Sequence, residues 1–158
     1  MCGYCGCENI DVVGRFMGEH VDIINATGDL RRACGTGDLA RVRASAARVA
    51  ALLEPHTAAE EVGLFAVLAE EEEFTEHVQS LCAEHVTLDA LLELVAHGEH
   101  ELFPVFERAL RTHIDREENG LFPAAAIAFA GPEWGRVADL TPDPAPRPSP
   151  AAPATPSP

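Results

Sequence analysis

The sequence contains no lysine. All eleven of its positive side chains are arginine, set against 26 aspartates and glutamates, and the formal net charge is −15. A surface of that sign repels a phosphate backbone or an anionic bilayer, so neither nucleic acid nor membrane is expected as a partner. No run of about 18 apolar residues occurs, which argues against a transmembrane helix. The amino-terminal stretch MCGYCGCENID has neither a positive start nor an apolar segment, so no secretory signal is expected and the chain reads as cytoplasmic. In that compartment its five cysteines stand mostly as thiols, not as a disulfide framework.

What is present favours helix. The 158 residues suffice for one domain with a sizeable core. Alanine and leucine dominate, and both prefer helix to sheet. The composition divides the chain into a cysteine-rich arm (1–8), a folded domain (9–139) and a Pro/Ala-rich tail (140–158) expected to be disordered or polyproline-like. Within the domain, Val13, Phe16, Met17, His20, Ile23 and Ile24 recur at the helical period and predict a helix over about 10–33, ended by Gly35-Thr36-Gly37. Asp38 is a natural cap for a second helix, about 39–70, in which Pro55 should produce a kink. A third is predicted over about 75–96, stopping at Gly98, and a fourth over about 102–128, with Pro104 tolerated in its first turn. A short last helix is predicted from Pro132, about 132–139. The expected fold is all-α: an antiparallel up-down-up-down four-helix bundle with a short extra C-terminal helix.

One internal repeat carries the chemistry. Residues 56–65 read HTAAEEVGLF and residues 113–122 read HIDREENGLF, identical at His, Glu, Glu, Gly, Leu and Phe. A shorter echo precedes each: Glu19-His20-Val21 and Glu84-His85-Val86. The chain is thus two helical hairpins of one kind. Each supplies a histidine from its first helix and an H-x-x-x-E from its second. Residues four apart on a helix share a face, so His56 with Glu60, and His113 with Glu117, can serve one centre. Buried imidazoles and carboxylates are costly without a compensating cation. A repeated inward His-Glu pair has no packing rationale, so a metal-free structural bundle is the weaker alternative. Imidazole plus carboxylate suits iron, and a shared carboxylate can bridge two ions, although zinc or manganese would also fit.

The pattern carried by His20, His56, Glu60, His85, His113 and Glu117, with the flanks EEVGLF and EENGLFP, resembles the hemerythrin-like (HHE cation-binding) family over about residues 10–130. The resemblance implies a non-heme pair of iron ions, oxo- or hydroxo-bridged and without heme, in an antiparallel four-helix bundle. It also implies a small diatomic or peroxide ligand: the family includes oxygen carriers, oxygen and iron sensors, and proteins acting on peroxide or nitric oxide. Two departures from the oxygen carriers stand out. They have a further histidine four residues before the third-helix ligand, where this chain has Leu81. They also place the fourth-helix carboxylate five residues after its histidine, which would be Glu118. The internal repeat selects Glu117 instead, with Glu118 as the substitute. With one histidine fewer, an open and nearly symmetric site suits peroxide, oxygen or nitric oxide chemistry better than reversible oxygen carriage. The alternative is an oxygen, iron or redox sensor, or an iron-binding module, without turnover.

The remaining candidates are read as structural. His77, His97 and His100 lie near helix ends or in the loop before the fourth helix. Glu61 lies about 100° round the helix from Glu60 and reads as a supporting or solvated residue. Glu70 to Glu73 read as an exposed helix end, Cys34 and Cys82 as small apolar residues. Phe65 and Phe122 are core by default and could wall a small pocket. The arm cysteines Cys2, Cys5 and Cys7 form C-x2-C-x-C, too few for a complete metal site, and are candidate accessory thiols for an unknown reductant.

Overall fold

A computed structural model describes residues 10–146, so Cys2, Cys5 and Cys7 and the last part of the tail lie outside the described residues. Helix α1 (Asp11–Thr36) runs through Gly35 and ends at Gly37, whose φ of +69° is left-handed and whose N–H returns to the Cys34 carbonyl. The stop comes three residues later than the sequence suggests, because Gly37, and not Gly35, takes the left-handed turn. Asp38 then caps α2 (39–68), its carboxylate accepting from the N–H groups of Ala40 (2.9 Å) and Arg41 (3.3 Å). This rod is α-helical over Leu39–Glu60, Pro55 included, widens into a π turn at Glu61–Phe65 and closes with Ala66–Leu68.

Helix α3 (Glu72–Ala96) starts three residues before its expected position. Glu72 and Glu73 occupy its first turn, where carboxylates oppose the positive end of the helix dipole. A 3-10 turn, His100–Leu102, leads into α4 (103–128): α-helix Phe103–Arg116, a second π turn Glu117–Leu121, then Phe122–Ala128. Helix α5 (Gly131–Leu140) carries Pro132 in its first turn and is capped by Glu133, which accepts the Ala130 N–H at 3.0 Å. Among the described residues there are five helices and no strand. None is long and apolar enough to cross a membrane.

Helix α1 packs along α2, α2 along α3, α3 along α4, and α4 returns to α1. Helix α5 lies against the π turn of α2. The interior divides into two apolar clusters. One contains Val13, Phe16, Leu64, Phe65, Leu81, Leu121 and Phe122. The other contains Ile23, Leu30, Val49, Leu53, Leu88, Phe106 and Leu110. On every long helix the break between clusters falls at one histidine: His20, His56, His85 or His113. Each large side chain fully buried here contributes about 1.5–3 kcal/mol, so the clusters clamp whatever lies between them.

Candidate metal centre

The buried polar or charged side chains among the described residues are His20, Thr27, His56, Thr57, Glu60, His85, His113 and Glu117. Thr27 is satisfied within its own helix, donating to the Ile23 carbonyl at 2.9 Å. The six that remain besides the threonines are the residues the sequence repeat selects. Glu60 and Glu117 are 0 % exposed, a degree of burial that carboxylates reach only when compensated.

The six converge as two overlapping groups, His20-His56-Glu60-Glu117 and Glu60-His85-His113-Glu117, with the offered atoms of each group within 4.8 Å of one another. The carboxylates divide their oxygens between the groups. Glu60 turns Oε1 to His56 Nε2 (3.3 Å) and His20 Nε2 (3.9 Å), and Oε2 to His85 Nε2 (3.4 Å). Glu117 turns Oε2 to His20 Nε2 (3.1 Å), and Oε1 to His113 Nε2 (3.1 Å) and His85 Nε2 (3.9 Å). Two donors each about 2.1 Å from one ion, at right angles, lie about 3.0 Å apart, which is the spacing of the closest of these pairs.

Each histidine presents Nε2 inward and gives Nδ1 to a further carboxylate nearer the surface. His20 Nδ1 meets Glu118 Oε1 (2.9 Å), His56 Nδ1 meets Glu19 Oε2 (2.8 Å), His85 Nδ1 meets Glu61 Oε1 (2.7 Å), and His113 Nδ1 meets Glu84 Oε2 (2.8 Å). A carboxylate accepts only, so each Nδ1 carries the hydrogen, and a ring in its neutral form turns a lone pair inward. His85 Nε2 and His113 Nε2 face each other at 3.0 Å, close enough to share one proton where no cation stands between them. The Nε2 atoms of His20 and His56 and all four oxygens of Glu60 and Glu117 are buried without a hydrogen-bond partner. A pair of cations resolves every one of these conflicts, so the donor set fits the metals that the sequence implies.

Without cations, protons take part of the load. Burial opposes charge on His20, but the nearby carboxylates of Glu117 and Glu118 outweigh it and raise the imidazole to about 10. His85 is likewise opposed by burial and raised by Glu60 and Glu61. Burial pushes Glu117 upward, yet His113 and His20 hold it well below the usual carboxylate range.

The two π turns explain how one short segment grips one ring from three sides. Glu60 Oε2 faces His85 Nε2, Glu61 takes its Nδ1, and Phe65 stacks on it with centroids 5.7 Å apart and planes 13° from parallel. In the second repeat Glu117, Glu118 and Phe122 do the same to His20, with Phe122 stacked at 6.0 Å and 6°. Each H-x-x-x-E segment therefore supports a histidine of the other hairpin. Glu117 joins both ligand groups, while Glu118 bonds His20 from outside them. Phe16 adds an edge contact to His56 at 5.6 Å.

Sequence reasoning assigned no role to Glu19 and Glu84, although the doubled Glu-His dipeptide was the available signal. It did not foresee the π turns. His77, His97 and His100 belong to neither ligand group. Cys34 and Cys82 are half-buried free thiols packed against the apolar clusters, and burial pushes both thiols up. Glu70 to Glu73 are exposed, with Glu70 paired to Arg136.

The sequence model of a family described as Hemerythrin HHE cation binding domain matches residues 11–125. Searches of curated proteins and of solved structures found no match.

Proposed function

Because the chain belongs to the hemerythrin HHE cation-binding family, we propose that it holds two non-heme irons between four antiparallel, up-down-up-down helices and binds or acts on dioxygen, peroxide or nitric oxide there. The observation that carries this reading is the division of Glu60 and Glu117, each offering one oxygen to either side of a buried histidine quartet. Bound irons supply Lewis acidity and one-electron storage.

The protein's own groups do the rest. Glu60 and Glu117 fix the separation of the two positions. Glu19, Glu61, Glu84 and Glu118 orient the rings and make them better donors. Phe65 and Phe122, stacked on His85 and His20, exclude water from one side. Leu81 is buried at the position where the oxygen carriers have a further histidine, so each of the two positions has two histidines and the two shared carboxylates as its protein donors. The protein works in the cytoplasm, with no nucleic acid or membrane partner, and the Cys2-Cys5-Cys7 arm is a candidate route for reducing equivalents.

Metal analysis and a near-ultraviolet and visible spectrum test the reading on protein from iron-replete cells. About two irons per chain with charge-transfer bands and no heme band are expected. Iron-loaded protein should consume peroxide, oxygen or nitric oxide, and His113→Ala should abolish it. A spectral change on ligand addition without consumption would assign the chain to sensing or binding. Protein purified without chelator and free of metal would refute both.

A further inference from the structure

The four outer carboxylates differ in what stands behind them. Glu19 gives Oε2 to His56 Nδ1 (2.8 Å) and Oε1 to the Arg15 guanidinium (2.7 Å). Glu84 divides its oxygens the same way: Oε2 takes His113 Nδ1 (2.8 Å) and Oε1 takes Arg116. Glu118 and Glu61 hold His20 and His85 with no arginine on either. Every other ion-paired arginine among the described residues meets Asp29, Glu70 or Glu107, and none of these holds a histidine. Each ligand group therefore contains one histidine backed through its carboxylate by an arginine, His56 or His113, and one that is not, His20 or His85.

The internal repeat does not account for this match. Aligning His20 with His85 sets Arg15 against Ser80, and aligning His56 with His113 sets Arg116 against Ala59. Arg15 reaches Glu19 from one turn away on the same helix. Arg116 reaches Glu84 from α4 across to α3, and it also donates to Ser80 Oγ at 3.2 Å, the residue that stands where Arg15 does in the first hairpin. Clamping one helix to another is not the common element, because Arg15 and Glu19 both belong to α1. What the two halves share is a guanidinium on the outer oxygen of a carboxylate that carries a histidine.

We infer that Arg15 and Arg116 are positioning residues that weaken His56 and His113 as donors, one in each ligand group, and thereby hold the centre toward ferrous iron. The inference rests on the metal reading above. A carboxylate on Nδ1–H makes the ring a stronger donor. A guanidinium, charged at every working pH, competes for that carboxylate with a charge-assisted hydrogen bond of its own. The couple concerned is Fe3+ accepting one electron from an outside one-electron donor to become Fe2+. The oxidised ion carries one more positive charge and gains more from strong donors, so a weakened imidazole and a fixed cation nearby both favour the reduced ion. Arg15 also donates to the Pro142 carbonyl (2.6 Å), so Arg116 is the cleaner of the two to alter.

Potentiometric titration of the iron-loaded full chain with redox mediators, followed through its charge-transfer bands, tests this. Arg116→Gln should still hold about two irons per chain and lower the midpoint, leaving the Fe3+ to Fe2+ ratio about tenfold higher at the wild-type midpoint, equivalent to about 59 mV. Arg15→Gln should move it the same way. Arg116→Lys, which keeps the charge, should restore most of the shift. Arg136→Gln, which removes a charge paired with Glu70, should leave the midpoint in place. An unmoved midpoint in the Arg15 and Arg116 glutamine variants, an equal shift in Arg116→Lys or Arg136→Gln, or fewer irons in either glutamine variant than in the wild type would overturn the inference while leaving the centre standing. Fewer than about two irons in the wild type would overturn the centre and this role of the arginines with it.

Discussion

At the residue scale, histidine and glutamate stand unequally in the candidate centre. Each histidine serves one ligand group, whereas Glu60 and Glu117 serve both. Removing His56 should therefore weaken one position and leave the other able to hold an ion, so His56→Ala is expected to retain about one metal per chain. Glu60→Ala should weaken both, and metal titration should show no tight step. Equal losses in the two variants would contradict the shared-carboxylate geometry. The outer carboxylates act through the rings. Glu118→Ala leaves His20 Nδ1 without its partner and should cost about 10–100-fold in affinity, with stoichiometry unchanged. If Glu118 were instead the inner ligand, the same variant would lose metal outright, and Glu117→Ala would not.

At the scale of the element, the two π turns differ in what surrounds them. A Cβ on Gly63 would overlap the Thr141 side chain, which closes over the first turn, while a Cβ on Gly120 meets nothing within 4 Å. Gly63→Ala should thus cost about 1–3 kcal/mol through crowding. Gly120→Ala should be neutral or stabilise by about 0.4–1 kcal/mol, since Gly120 is not among the glycines with positive φ. Denaturant unfolding of the two variants would show the difference. The same contrast shows where the sequence stopped being informative. Helix positions followed from apolar spacing, and the buried histidines and glutamates followed from the H-x-x-x-E repeat, because both depend on residues a few positions apart. The π turns did not follow, since nothing local distinguishes Glu-Glu-Val-Gly-Leu-Phe in an α-helix from the same residues with one extra residue per turn. Nor could the spacing show that Glu61 and Glu118 reach across to the other hairpin, or that Thr141 approaches Gly63 from 78 residues away in sequence. Those contacts exist only once the helices are side by side.

For the whole molecule, stability and metal content should separate cleanly in one direction and not in the other. Of the two apolar clusters, one stacks its phenylalanines on the buried histidines, whereas the rings of the other, Phe103 and Phe106, pack against each other. Phe106, fully buried in the cluster that also contains Leu30 and Leu110, should cost about 3–5 kcal/mol as Phe106→Ala while still loading the full complement of metal. The reverse does not hold. Stripped of cations, the fold must keep two carboxylates and four imidazoles between those clusters, with the inner atoms of both carboxylates and of His20 and His56 lacking a hydrogen-bond partner, a burden that falls on the native state because the unfolded chain solvates all six. Any ion that binds the folded centre and not the unfolded chain stabilises it by mass action, by about 2.7 kcal/mol at a free concentration one hundred times its Kd. Thermal melts should therefore rise with added Fe2+ or Co2+ under anaerobic conditions and fall in chelator, with the shift growing as the logarithm of free metal. In His56→Ala that growth should have about half the slope, since one of the two positions is lost. A melting temperature indifferent to metal would mean that the quartet and its two carboxylates are held together by protons alone.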